Sequence, residues 1–279
     1  MAQDYPVDIS ILNEISSKQF MKWVLFSEEE FISFIAKCSN LLTLSLDKLS
    51  WKHLKYINKD KLCLKRIIIA DACFKLGHWP SHFKTSTSIV IPKPNKKLYD
   101  SSKSFWPIIL LNIIEKIIEK VISNQLQFHS ISKNFIHPSQ LGGLKQRLAF
   151  DAGVALTHFI QSGWIKNNMA NTLAFNIAQF FPTLNHFLLP LILRKTGFDS
   201  KVNHFFSNYL VGRKTQYFWN NFSFSFFNVD VRVGQGSALS PILYTLYLAH
   251  ILHILEKHLK ILKILVFILS FVNDGLLVA

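Results

Sequence analysis

Asp274 is the residue whose setting most suggests chemistry. It lies in the run Phe271-Val272-Asn273-Asp274-Gly275-Leu276-Leu277-Val278-Ala279. An apolar stretch, an acidic turn and a second apolar stretch predict a β-hairpin that presents side chains at its tip. A carboxylate held there is a hard oxygen ligand, suited to a divalent cation such as Mg²⁺. Asn273, beside it, offers an oxygen without charge. The other ionisable groups are weaker candidates. His250, His253 and His258 share one predicted helix with no acidic or cysteine partner at metal spacing, and are expected to be structural. Glu115 and Glu119, one helical turn apart and alternating with lysines, are expected on a solvated face. His78 beside Trp79-Pro80 reads as a packing element at a helix end. No Ser-His-Asp or Cys-His arrangement stands out.

The elements that would position such a hairpin can be read along the chain. Ser27 with Glu30 three residues on is a capping box, and Phe31, Phe34 and Ile35 form the apolar stripe of a first helix. A lysine-bearing helical region follows from Trp51 to Leu76. Thr87–Pro92 reads as a strand leaving into the basic loop Lys93-Pro94-Asn95-Lys96-Lys97. Asn112–Phe128 reads as a helix with Ile113, Ile117 and Val121 buried and its Glu-Lys pairs wet. The segment from His137 to Gly143 is a loop, Asp151–Gly163 a helix and Thr172–Ile177 a short strand. Helices are expected over Asn185–Lys195 and Val202–Tyr209. Strands are expected over Lys214–Trp219 and Ser225–Val233, around an Asn220-Asn221 turn. A glycine-containing loop, Val233 to Ser237, leads into a long helix to Leu259, and the hairpin follows. Helices on a small antiparallel sheet make an α+β fold.

Bulk properties narrow the partners. The chain has a formal charge of +14 and a pI near 9.7, which favours a polyanion such as nucleic acid or an anionic membrane surface. The charge is concentrated: from Lys48 to Lys103 there are thirteen Lys and Arg against Asp60, Asp71 and Asp100. Mean hydropathy is high at +0.23, yet the longest apolar run, Ile264–Val272, is about half of what a spanning helix needs. Three cysteines without zinc or redox spacing suggest a reducing compartment, and Met1–Ser10 lacks the order of a signal peptide. The expectation is an intracellular protein, nuclear or cytoplasmic and not secreted, with no membrane partner. Phenylalanine is abundant (25) while glycine (10) and proline (9) are scarce, so turn formers are short.

Several stretches in fixed order carry a resemblance. Ala174-Phe175-Asn176-Ile177-Ala178-Gln179-Phe180-Phe181 resembles the first catalytic motif of reverse transcriptases. Gly234-Gln235-Gly236-Ser237-Ala238-Leu239-Ser240-Pro241 resembles the second, and Phe271-Val272-Asn273-Asp274 the third. Ile91-Pro92-Lys93-Pro94 and Lys103-Ser104-Phe105-Trp106-Pro107-Ile108 look like fingers motifs of the non-LTR, LINE-type branch, followed by the His137–Gly143 loop. The resemblance runs from about Ser27 to Ala279. It implies a right-hand polymerase with fingers and palm, an antiparallel palm sheet packed on helices, and no thumb, because the sequence stops at the third motif. The implied division is a helical N-terminal extension over 1–80, fingers over 81–165 and palm over 166–279.

In such enzymes two Mg²⁺ ions clamp the attacking and leaving oxygens during phosphoryl transfer to a primer. The resemblance implies aspartates where Asn176, Asn273 and Asp274 stand, with the backbone carbonyl of Ile177 completing the metal ligands. It implies nucleotide contacts from Phe181 (the aromatic that excludes a 2′-hydroxyl), Gln235, Gly236, Ser237, Lys93 and the position of Trp106, with Lys96 also facing phosphate. An RNA template, a DNA primer and deoxynucleoside triphosphates are the implied partners; the oligomeric state is left open.

The departures from the pattern are as informative. Asn176 and Asn273 replace two of three metal carboxylates, Trp106 replaces a triphosphate-binding arginine, and Arg232 replaces a glycine. Leu44, Ser45 and Leu46 stand where relatives have a Pro-Gly-Pro turn. Each of these seven changes is reachable by one C→T or G→A transition, the signature of cytosine deamination or of repeat-directed mutation of the fungal kind; their codons test this. The expectation is a reverse-transcriptase-like domain that has lost polymerase chemistry. The alternatives are a nucleic-acid-binding remnant or a nonfunctional retroelement relic that does not fold stably.

Overall fold

A computed structural model describes residues 24, 26–38, 49–56, 59–177, 184–219, 222–229, 234, 236–262 and 266–279, the side chains of 59–67 excepted. Phe181, Gln235, Arg232, the Thr43–Asp47 stretch and the Asn220-Asn221 pair lie outside the described residues.

Ser27 opens the first helix, α1 (Glu28–Lys37), through a complete capping box: its hydroxyl accepts from the Glu30 amide, and the Glu30 carboxylate accepts from the Ser27 amide. Phe31 and Ile35 are buried as their spacing requires. The Trp51–Leu76 region forms two helices, α2 (Trp51–Tyr56) and α3 (Lys59–Leu76). β1 (Thr85–Pro92) and β2 (Phe105–Leu110) pair antiparallel, Ile91 opposite Trp106. β2 has no counterpart in the sequence reading. Pro107 argues against a strand, but β2 is the edge of its sheet, where a missing N–H is tolerated.

The order continues with α4 (Ile113–Ser132), α5 (Ala149–Ile165), β3 (Thr172–Asn176), α6 (Leu188–Thr196) and α7 (Ser200–Leu210). β4 (Arg213–Trp219), β5 (Phe222–Val229), α8 (Ser240–Ile261), β6 (Phe267–Phe271) and β7 (Asp274–Val278) complete it. Two sheets result. One is mixed, in the order β2-β1-β4-β5, with β1 and β4 parallel; the other is antiparallel, in the order β3-β7-β6. The fold is α+β. Among the described residues no helix is long and apolar enough to cross a membrane.

α4 runs through the middle of the core: Ile113, Ile117, Ile118, Val121, Ile122 and Leu126 are all fully buried. Glu115 and Glu119 are fully buried as well, which corrects the expectation of a solvated Glu-Lys face. Their partners (Arg213, Tyr209, Ser237) lie some hundred residues downstream, beyond the reach of a local charge pattern. An aromatic column joins α3 to α7, with Phe74 stacked on Phe205 at 4.1 Å and Trp79 edge-on to Phe205 and Tyr209. Trp79 is fully buried and its amide donates to Asn208, so the packing at this helix end falls to Trp79, while His78, expected to be a packing element, is exposed.

Candidate active site

The antiparallel register decides what meets. Asn176, the last residue of β3, is opposite Asp274, the first of β7, while Phe271 and Asp274 close the hairpin around Val272-Asn273. The Ile177 amide donates to the Asn273 carbonyl at 2.8 Å, extending the ladder one step past the strand end. Strand end and hairpin tip thus gather Asn176, Ile177, Asn273 and Asp274. Asn176 and Asp274 are exposed, Ile177 and Asn273 half-buried. Val272 takes φ +56°, a left-handed conformation that a β-branched residue adopts only under strain.

The loop from His137 to Gly143 holds the hairpin from behind. Leu141 N–H donates to the Ser270 carbonyl and Ser270 N–H to the Ser139 carbonyl. Gly142 lies so close that a Cβ there would stand 2.3 Å from the Val272 nitrogen. Arg147 donates to the Gln140 carbonyl and fastens the middle of the loop.

At the tip, the Asn176 side-chain nitrogen donates to Asp274 Oδ1 at 2.5 Å. Chemistry dictates this orientation, because an ionised carboxylate only accepts and the amide must turn its NH₂ toward it. The donor therefore points at the carboxylate a metal ion would need. To ligate Mg²⁺ the amide would have to flip, give up this bond and supply an oxygen without charge. One carboxylate and two amides leave a single negative charge where two dications would sit. This donor set does not fit a pair of Mg²⁺ ions.

The nucleotide-contact candidates lie on other elements. Gly236 has φ +117° and packs against β2, where a Cβ would come within 2.5 Å of the Ile109 carbonyl oxygen, so no other residue fits without moving the backbone. Ser237 is buried and its hydroxyl donates inward to Glu119 at 2.6 Å. Trp106 is partly exposed on β2, with the Lys93 ammonium 5.9 Å from its ring centroid. Lys93 also donates to the Lys103 carbonyl, while Lys96 is exposed.

Two clusters escaped sequence reasoning. The first joins Glu115, Glu119, Tyr209, Arg213 and Ser237. Burial, reinforced by Glu119, pushes the Glu115 carboxyl up to about 8, although Arg213 at 3.2 Å opposes the rise. The second brings ligand atoms of His137, His253 and Glu256 within 4.8 Å of one another, correcting for His253 the expectation of no acidic partner at metal spacing. Glu256, three residues after His253 on α8, was a legible signal; His137, 119 residues from Glu256, was not. The geometry disfavours a metal there. His137 Nδ1 accepts from the Ser139 amide at 3.2 Å, which places the ring proton on Nε2, donating to Glu256 at 3.2 Å. A metal on Nε2 would force that proton to Nδ1, against the Ser139 N–H. Burial keeps the ring below its ordinary pKa despite Glu256, and the cluster ties the loop to α8.

A strand end and a hairpin tip apposed on a small antiparallel sheet, beside a second sheet with a basic loop, are consistent with the fingers and palm of a nucleic-acid polymerase. Comparison with known proteins narrows this. Residues 91–279, more than half of the chain, match the family described as reverse transcriptase (RNA-dependent DNA polymerase), and the chain belongs to that family. It is 26% identical over 189 residues to the probable RNA-directed DNA polymerase from transposon BS of Drosophila melanogaster, covering 64% of this chain and 20% of that protein. It is 24% identical over 179 residues to the corresponding protein of the X-element, with 64% and 20% coverage. With the RNA-directed DNA polymerase from mobile element jockey of Drosophila funebris the identity is 25% over 187 residues, covering 67% and 20%. The chain thus spans about a fifth of the length of these relatives.

Proposed function

We propose that this chain is a reverse-transcriptase fingers and palm that binds nucleic acid but does not add nucleotides. In this reading 1–80 are a helical extension, 81–165 the fingers and 166–279 the palm. Its ligands are an RNA template paired with a DNA primer, in an intracellular setting. The observation that carries the loss of chemistry is the Asn176 amide donating to Asp274, which occupies the last metal carboxylate with a neutral donor. Template-directed synthesis by two Mg²⁺ ions, the family's reaction, would require charge that Asn176 and Asn273 do not supply. Binding is supported by the net charge of +14, by Lys93 against Trp106 and by the exposed Lys96 and Lys97 of the same basic loop.

The test is primer extension on an RNA template with Mg²⁺, beside a titration of RNA–DNA duplex binding against salt. The unmodified chain is expected to extend nothing and to bind with an affinity that falls steeply as salt rises. Measurable synthesis would overturn the loss of chemistry; salt-independent binding, or none, would overturn the binding role.

A further inference from the structure

Beneath the loop from Gly234 to Leu239 lies a buried carboxylate that the metal-ligand positions do not use. Glu119, fully buried on α4, accepts three hydrogen bonds: from Tyr209 Oη at 2.5 Å, Ser237 Oγ at 2.6 Å and the Ala238 amide at 3.1 Å. The Ser237 oxygen in turn accepts from the Leu239 amide at 3.2 Å. The Gly234 carbonyl accepts from the Ser237 amide and from Ser240 Oγ, closing the turn. On its other side the loop rests on β2 through Gly236 and the Ile109 carbonyl. The loop is therefore clamped between the strand that carries Trp106 and the helix that carries Glu119.

A second layer holds the clamp. Arg213, at the start of β4, donates to Glu115 at 3.2 Å and lies 4.7 Å from the Tyr209 ring centroid. Burying a carboxylate is expensive, and replacing buried charged groups by well-packed apolar ones is often neutral or stabilising. What the carboxylate supplies and a leucine could not is a fixed set of acceptors for the hydroxyl of Ser237 and the amide of Ala238. These belong to the segment that, by the resemblance to reverse transcriptases, would lie against nucleic acid.

We infer that Glu119 is a positioning residue: it sets the backbone at Ser237 and Ala238, and through it the surface offered to an RNA–DNA duplex, touching no ligand. The second half of this statement rests on the proposed binding role.

The test is hydrogen exchange at the Ala238 amide, taken as a ratio to the Leu243 amide in α8 so that a change in global stability cancels. In Glu119→Gln the ratio is expected to rise about tenfold or more, the factor expected for losing a charge-assisted hydrogen bond. Ser237→Ala should raise it in part, and Ser237→Thr, which keeps the hydroxyl, should leave it near that of the unmodified chain. Duplex affinity should weaken in the same order. An unchanged ratio in Glu119→Gln overturns the inference, as does a raised ratio with unaltered duplex affinity. If the unmodified chain binds no duplex, the proposed function and the duplex half of the inference fall together, while the ratio still decides whether Glu119 sets the loop.

Discussion

Glu115 and Arg213 show what a residue can hide from its sequence neighbours. Alternating Glu and Lys on a helix ordinarily marks a wet face, and Lys116 and Lys120 do remain partly accessible. The two glutamates turn inward because Arg213, Tyr209 and Ser237 arrive from distant segments to receive them. The arrangement has a sign in pH. The Glu115 carboxyl rises from its ordinary 4.5 to about 8 in the folded protein, chiefly by burial, with Glu119 adding to the rise. Its contribution to stability is complete below the unfolded value and is lost as pH climbs through the folded one. Glu115→Gln removes the titration while keeping the shape. The melting temperature of the variant should therefore gain on that of the unmodified chain from about pH 5 to about pH 8. A constant difference across that range would contradict the assignment.

Among the elements, the closing hairpin was the most legible, because an apolar–acidic–apolar run with glycine after the turn admits few other structures. β3 and α1 were equally plain, the first from a short apolar run and the second from its capping box. The parallel pairing of β1 with β4 was not legible, since nothing local links Thr85 to Lys214 across the chain. Nor was β2, which Pro107 disguises. The contact between loop and hairpin was likewise hidden: Gly142 reads as a turn residue, yet its role is close approach to the backbone at Phe271 and Val272. Gly142→Ala should push the hairpin tip outward and cost about 1–3 kcal/mol, as overpacking does. Chemical denaturation would measure the loss, and amide chemical shifts at 271–274 the displacement. An alanine variant with unchanged stability and shifts would show that the tip does not lean on this loop.

At the scale of the whole molecule, the proposed loss of a metal site does not conflict with a well-buried core. Core packing depends on apolar volume, which α4, α7 and α8 supply in quantity. A two-metal site would depend on charge at Asn176, Asn273 and Asp274, and with amides at two of these positions the strand pairing of β3, β7 and β6 is intact. The two amides at Asn176 and Asn273 are plain in the sequence, and the resemblance implies that aspartates would stand there. The sequence could not show that the Asn176 amide would turn its donor onto Asp274, because that follows from the register of β3 against β7. In the function proposed above, the fold has outlived metal chemistry in this chain. Titration with Mn²⁺, followed by its electron paramagnetic resonance signal, tests it most directly on the folded unmodified chain and on Asn176→Asp/Asn273→Asp. Restoring two carboxylates should tighten Mn²⁺ binding by about tenfold or more, since each adds a charged hard ligand at contact distance. Equal affinity in the two proteins would contradict the claim.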